Sequence, residues 1–172
     1  EKRSSRACMS QLDDDAFNKL GIDESEVDLA DPVKFWGYAF EYPSLLGDPE
    51  NNKARWITGK DGFSRSSEFI LTGFYFAEDS VYCYEQIGSL VSDAVEERTE
   101  EYFYKDIVSV KTGSSKIPAV DENGNEIEGV WIRHEEFIIT NMGGEKKVCT
   151  VANAEEAESA VTAFRALLKE KK

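Results

Sequence analysis

The chain has 172 residues and a formal net charge of −14, from 34 acidic and 20 basic side chains. Hydrophobic residues make up 41% of the chain and aromatic residues 12%, which predicts a packed core rather than a disordered chain. Such an acidic chain repels phosphate backbones at long range, so the composition argues against nucleic acid as a partner. The length predicts one ordinary domain, or a small domain with an appendage.

Three isolated cysteines, Cys8, Cys83 and Cys149, form no pair with metal-ligand spacing. This pattern predicts a reducing compartment and no structural zinc. Cys83 and Cys149 lie in apolar runs and are predicted to be buried thiols. No run reaches the roughly 18–20 apolar residues of a membrane-spanning helix, and no signal peptide is visible. We therefore expect a cytoplasmic chain, either free or tethered by a segment upstream of Glu1.

Residues 1–32 are predicted to form an N-terminal extension. Its first nine residues resemble a tail. Ser10 is a candidate N-cap for a short helix that ends at Gly21, and one face of this helix is apolar: Leu12, Ala16, Phe17 and Leu20. The acidic stretch after Gly21 is predicted to be a loop that ends at Pro32.

The run VKFWGYAFEY, residues 33–42, is dense in aromatic side chains. Asp31-Pro32 would suit the start of a helix, but the aromatic and β-branched content favours a strand. One face of this strand would lie in the core, and the other would need cover from the N-terminal helix or from another chain. Because aromatic residues are enriched at interfaces, these rings form a candidate interaction surface: Phe35, Trp36, Tyr38 and Phe40.

The middle of the chain predicts short antiparallel strands. ARWITG (54–59) is a candidate strand, and the stretch after it, 60–67, a turn. The clearest hairpin joins RSSEFILTGFYFA (65–77) to SVYCYEQIG (80–88). Residues 89–100 predict a loop or a short helix.

Residues 101–113, EYFYKDIVSVKTG, predict one long strand. Four of its side chains would share one face, as core or sheet-face residues: Tyr102, Tyr104, Val108 and Val110. Lys105 would face solvent, and Asp106 would sit at a bend or accept backbone hydrogen bonds. Two further hairpin turns are predicted at Asn123-Gly124 and Gly143-Gly144, with strands at about 127–140 and 145–151.

The last element predicted is an amphipathic helix. Asn153 is its candidate N-cap, and Glu156 stands three residues later, as in a capping box. Its apolar residues follow helical spacing: Ala157, Ala160, Val161, Phe164, Leu167 and Leu168. We expect this stripe to cover the preceding sheet.

From Val33 to Lys172 the chain resembles the pleckstrin-homology-like (PH-like) superfold, and more narrowly the bacterial PH-like and GRAM-like domains. The resemblance lies in YKDIVSV (104–110), FIITNMGGEKKVCTV (137–151) and NAEEAESAVTAFRALL (153–168). It implies an α+β domain at 33–172, with a curved antiparallel sheet or partly open barrel of about seven strands capped by the C-terminal helix. Residues 1–32 would be a helical extension. It also implies binding of lipids, peptides or copies of the chain itself.

Few residues indicate catalysis or metal binding. His134 is the single histidine, and no second histidine or cysteine pair would complete a metal site around it. DENGNE (121–126) lacks the glycine and glutamate positions of a calcium loop, and a hairpin explains it. No nucleophile, phosphate-loop or dinucleotide motif is present. We therefore expect no catalysis, metal or cofactor.

The sequence accordingly predicts a non-catalytic binding or assembly module that contacts a protein partner or copies of itself. The alternative is a peripheral module that binds a lipid head group or another anionic ligand through a basic loop at 53–65. That loop would use four side chains: Lys53, Arg55, Lys60 and Arg65. An enzyme of unknown class is a residual alternative.

Overall fold

The structure is a computed structural model that describes residues 2–40, 56–58, 60, 64–90, 93–120 and 125–171. In these ranges the chain forms two α-helices, nine strands and two short 3₁₀ helices, Glu24–Glu26 and Tyr104–Asp106. The helices and strands are α1 (Lys2–Leu20), β1 (Val33–Tyr38), β2 (Trp56–Thr58), β3 (Ser64–Ser66), β4 (Glu68–Phe76), β5 (Ser80–Ser89), β6 (Val95–Phe103), β7 (Ile107–Val120), β8 (Glu126–Asn141), β9 (Lys146–Val151) and α2 (Ala154–Lys171).

The strands form three antiparallel sheets, so the chain is an α+β protein with open sheets. The orders are β1-β4-β5-β6, β2-β3 and β7-β8-β9. The four-stranded and three-stranded sheets meet where the N–H of Ala152 donates to the carbonyl of Trp36 at 2.8 Å. Gly37 permits this approach, because a Cβ there would lie 2.8 Å from the carbonyl oxygen of Thr150. The nine strands exceed the expected count of about seven by β3 and β6, since β2 lies within the candidate strand at 54–59.

Helix α2 covers the core between these two sheets, as the sequence predicted. The side chain of Asn153 accepts a hydrogen bond from the N–H of Glu155 at 2.9 Å, which confirms the N-cap. The predicted stripe is buried from Ala157 to Leu167. Phe164 is fully buried, with its ring centroid 4.9–5.2 Å from those of three other phenylalanines: Phe74, Phe76 and Phe137.

Helix α1 covers the other face of the four-stranded sheet. Leu12 and Ala16 are fully buried in a cluster with Leu71, Tyr75 and Tyr84. The prediction of a tail before Ser10 was wrong, since α1 begins at Lys2. A serine is tolerated inside a helix, and nothing from Lys2 to Met9 is a proline or glycine that would stop one. The proposed boundary between residues 32 and 33 stays a prediction.

Two other local predictions were wrong. Residues 64–66, which lie in the expected turn at 60–67 and partly in the expected hairpin arm at 65–77, form the separate strand β3. Residues 95–100, half of the expected loop or helix at 89–100, form the first part of β6. Strand β6 does not alternate apolar with polar residues, because five of its nine residues are charged and most of its side chains are exposed. Its strand state therefore depends on pairing with β5.

The strand pairing confirms the predicted hairpins. β4 and β5 pair along their length around Glu78-Asp79, and β8 turns into β9 at Gly143-Gly144, where Gly144 has a φ of +80°. The pairing of Val120 with Glu126 confirms the β7–β8 hairpin. The predicted Asn123-Gly124 turn itself lies outside the described residues.

Residues 101–113 do not form one strand. A 3₁₀ turn at Tyr104–Asp106 separates β6 from β7, which puts Asp106 at the expected bend and Lys105 in solvent. The prediction that Val108 shares a face with Val110 was wrong: Val110 is buried, whereas the Val108 side chain is 56% exposed and Ile107 occupies the core. The 3₁₀ turn interrupts the strand alternation after Tyr104, so Ile107 rather than Val108 enters the core. The irregular register between Ile107 and Ser109 then returns Val110 to the core face.

Candidate functional site

The predicted aromatic surface is divided between the two faces of β1. Phe35 is 1% exposed and packs against Phe74 and Phe137, so it belongs to the core and not to a surface. Trp36 and Tyr38 lie half-buried on the other face, and Phe40 continues this row with ring centroids 5.6 and 6.1 Å apart. Trp36 also packs against the α1 cluster. Binding of a partner by the remaining rings stays a prediction.

The predicted basic loop is only partly described. Lys53 and Arg55 lie outside the described residues, Lys60 is exposed, and Arg65 is half-buried on β3. The same hairpin contains Ile57, whose side chain is 70% exposed. An exposed apolar side chain therefore lies in one short hairpin with at least one exposed lysine.

The outer edge of strand β7 is the edge that faces away from β8, and one contact shows which backbone groups lie on it. The carbonyl of Val110 accepts a hydrogen bond from Arg165 of α2 at 3.2 Å, so it points away from β8. Backbone groups alternate in direction along a strand, and the β7–β8 register is regular from Ser109 to Pro118. The N–H and C=O groups of Thr112, Ser114 and Lys116 therefore also point away from β8.

This outer edge of β7 (Thr112, Ser114 and Lys116) pairs with no strand in the part of the chain that the structure describes. Arg165 bounds it at one end. At the other end lies Pro118, which has the same orientation and so loses no β7–β8 hydrogen bond through its missing N–H. The edge is thus a short segment of exposed backbone donors and acceptors.

One face of the β7–β8 hairpin carries a basic–aromatic patch (Lys116, Trp131 and Arg133). Lys116 lies directly opposite Arg133, and Pro118 opposite Trp131. The Nζ of Lys116 is 4.8 Å from the ring centroid of Trp131, which is 51% exposed. Among the described residues, no carboxylate lies within 4 Å of either cation. Sequence reasoning missed this patch because only the hairpin register brings the two cations together.

The opposite face of the same hairpin joins Ser115, His134 and Glu136. The Nε2 of His134 contacts the Ser115 hydroxyl and lies 3.2 Å from Oε1 of Glu136, whereas Nδ1 is buried with no hydrogen-bond partner. In a serine nucleophile triad the serine and the acid contact different ring nitrogens. This geometry therefore does not activate Ser115. The His134 side chain is itself half-buried.

A buried ionic network crosses between the two large sheets. The carboxylate of Glu85, on β5, is 2% exposed, and its Oε2 lies 3.1 Å from Nζ of Lys147, on β9. Lys147 also contacts Glu100 at 2.8 Å, and Arg98 lies 3.9 Å from Glu85. Every cation in the network already faces a carboxylate, so this cluster does not offer a free charge to a ligand.

Cys83 and Cys149 are buried free thiols, as predicted. Burial raises the pKa of both thiols well above their usual value. A thiol that stays protonated is a poor nucleophile, so neither cysteine is suited to covalent catalysis.

An open cavity of about 350 Å³ lies near the end of α2. Its lining residues carry charges of both signs: Glu78, Asp79, Phe103, Tyr104, Lys105 and Lys171. Burial, followed by the charge of Asp79, raises the pKa of Tyr104, and its hydroxyl donates to the carbonyl of Ala77 at 2.8 Å. This phenol is therefore engaged in the fold and is not a candidate base.

Across the ranges that the structure describes, no group of three or more histidine, cysteine or acidic side chains is placed to hold a metal ion. None of the described helices is long and apolar enough to cross a membrane. Comparisons with protein-family models, with curated proteins and with solved structures find no match to this chain.

Proposed function

We propose that this chain is a non-catalytic protein-binding module of PH-like topology, in which a strand of the partner pairs with the outer edge of β7. The PH-like assignment is supported by the order of the elements: a four-stranded antiparallel sheet, a three-stranded antiparallel sheet, and a final helix whose aromatic residue enters the core between them. The partner could be another protein or a second copy of the chain.

The observation that carries this proposal is the unpaired backbone at Thr112, Ser114 and Lys116. An exposed sheet edge offers main-chain hydrogen bonds to an added strand, and each such bond contributes about 0.5–1.5 kcal/mol net. Strand β6, the exposed edge of the other sheet, carries four glutamates (Glu96, Glu97, Glu100 and Glu101). Charged side chains of this kind discourage edge-to-edge pairing, which favours β7 as the edge for a partner.

The expected result of Ser114→Pro is a loss of partner binding without a loss of fold. Because the N–H of Ser114 points away from β8, proline removes a donor only from the outer edge, as Pro118 already does. We expect binding to fall roughly tenfold through the lost hydrogen bond and the ring's obstruction. The measurement is light scattering over a concentration series, together with quantitative retention of proteins from an extract of the source cells.

Ser114→Ala is the matched control, since it removes the same hydroxyl and keeps the N–H. Circular dichroism and thermal unfolding would establish that both variants are folded. Equal binding by the proline and alanine variants would contradict strand pairing at this edge.

The exposed Ile57 favours a second candidate, attachment to an anionic lipid surface through the β2–β3 hairpin. An apolar side chain that is 70% exposed can enter the interface while Lys60 contacts head groups. The net charge of −14 opposes this mode at long range, which is why it ranks second.

For this second candidate, Lys60→Glu is expected to weaken cosedimentation with phosphatidylserine-containing vesicles by at least about fivefold, since each basic residue near such a surface is worth about 1 kcal/mol. The control is Lys105→Glu, which makes the same charge change on an exposed lysine in the Tyr104–Asp106 turn. Binding should also fall at high salt. An equal effect of both substitutions would rule out a specific role for the hairpin.

A further inference from the structure

We infer that the outer edge of β7 selects an acidic strand, in which the partner places a carboxylate beside Lys116. This inference rests on the proposed function and names the chemistry of the partner segment. It comes from the basic–aromatic patch, whose two cations have no described carboxylate within 4 Å although the chain has 34 acids and 20 bases.

Lys116 and Arg133 form an unfavourable pair within the folded chain. Since the backbone groups of Lys116 point away from β8, the two residues are a non-hydrogen-bonded pair, in which the Cα atoms are about 4.5 Å apart and the side chains are closest. Like charges directly opposite each other destabilise a sheet. The contact of Lys116 with the Trp131 ring attracts the ammonium group but adds no negative charge.

A strand added to the outer edge of β7 would relieve this repulsion. One of its residues would lie beside Lys116, on the side away from Arg133, with its side chain on the same face of the sheet. An aspartate or glutamate at that position would give Lys116 an opposite charge at cross-strand distance. The structure therefore assigns an acidic residue to one particular position of the partner strand.

The neighbouring position of the partner has a different requirement. Ser114 lies on the same face as Lys116, and its hydroxyl is 3.3 Å from Oε1 of Glu135. A second acid beside Ser114 would approach Glu135, so a neutral or basic residue is preferred there. The net charge of −14 also repels long polyanions. The expected segment is thus a short strand with one acid, not a polyacidic run.

The test uses two synthetic threonine-rich strand peptides that differ in a single central residue, glutamate or glutamine. Binding is measured by the shift of the Trp131 indole N–H signal during NMR titration, with Trp131→Phe to assign that signal. The glutamate peptide should bind about fivefold more tightly than the glutamine peptide, as expected for an exposed ion pair. This preference should shrink as salt is added.

Lys116→Gln should abolish the preference for glutamate, whereas Lys111→Gln should keep it. Lys111 is the matched control because it is an exposed lysine of the same strand whose side chain lies on the opposite face, beside Ile138. Lys116→Gln should also leave the melting temperature unchanged or raise it, since it removes a repulsion. A lysine that only stabilised the hairpin would give the reverse, a lower melting temperature with unchanged peptide binding.

Equal binding of the two peptides to the unchanged chain overturns the acid preference, and so does a preference that survives in Lys116→Gln. If neither peptide binds while Ser114→Pro still abolishes partner retention, the acid preference is overturned and the proposed function stands. If the glutamate preference is present but Ser114→Pro does not alter it, the cation site is supported and strand pairing fails.

Discussion

Replacement of Lys147 by alanine is expected to destabilise the folded chain by about 3–5 kcal/mol, because it leaves a buried carboxylate without its counter-ion. Glu85 is 2% exposed, and Lys147, 3.1 Å away, is its closest cation; Arg98 is at 3.9 Å. The two side chains come from different sheets, so the loss also removes a connection between β5 and β9. Urea unfolding followed by circular dichroism would measure the change in the free energy of unfolding.

Three variants separate this effect from a general loss of charge. Lys146→Ala alters the exposed neighbour on the same strand and should cost well under about 1 kcal/mol. Glu100→Gln breaks the contact of Lys147 with a carboxylate that is 44% exposed, so we expect less than about 1 kcal/mol. Combining Lys147→Met with Glu85→Leu should recover most of the stability, since an apolar pair of similar volume can replace a buried ion pair. If Lys147→Ala costs no more than Lys146→Ala, the buried pair is not stabilising.

The second large effect is expected for Phe164→Ala, at about 3–5 kcal/mol. Phe164 is fully buried, and its ring contacts phenylalanines from both large sheets, on β4 and β8. Truncation removes the buried ring and leaves a cavity that the rigid sheets cannot fill. The unfolding free energy in urea is again the measurement, with Phe164→Leu expected to cost less because it keeps most of the apolar volume.

Thr162→Ala provides the control for helix α2. Thr162 is exposed, its hydroxyl bonds only to the carbonyl of Glu158 in the preceding turn, and alanine favours a helix. We expect a change within about 0.5 kcal/mol of zero. Similar destabilisation by Thr162→Ala and Phe164→Ala would mean that helix propensity, not the aromatic packing, sets the stability of this region.

The two destabilising variants, Lys147→Ala and Phe164→Ala, also have an expected effect on partner binding at the outer edge of β7. Helix α2 positions Arg165 against the carbonyl of Val110, which marks one end of the outer edge of β7. The edge itself is made of backbone groups, so its availability depends on the sheet staying folded and not on any exposed apolar side chain. A destabilised core should therefore weaken partner binding only where it unfolds β7.

Local patterns in the sequence determined several elements of this protein. The capped helix from Ala154 was predictable because its N-cap and apolar stripe are both short-range signals. The β4–β5 hairpin was predictable because both strands are short runs rich in apolar and aromatic residues on either side of Glu78-Asp79. The turn after β8 was predictable because Gly144 supplies a positive φ. Burial of Cys83 and Cys149 followed from the same apolar runs.

Tertiary pairing decided the rest. Strand β6, in which five of nine residues are charged, owes its conformation to pairing with β5. The 3₁₀ turn at Tyr104–Asp106 shifted the alternation, so that Ile107 took the core position in place of Val108. Helix α1 begins at Lys2, before the predicted N-cap Ser10. A serine acts as an N-cap only where the residues that precede it are not helical.

The candidate site shows the same division most clearly. The Asn123-Gly124 dipeptide predicts a hairpin. A two-residue turn at this dipeptide would place Pro118 opposite Gly129, whereas the structure pairs Pro118 with Trp131. That offset of two residues determines that Lys116 faces Arg133. The sequence by itself determined that β7 and β8 are neighbours, because turn chemistry is local. Only the tertiary structure decided which side chains oppose each other and which backbone edge is unpaired, because register depends on contacts along both strands and with the core.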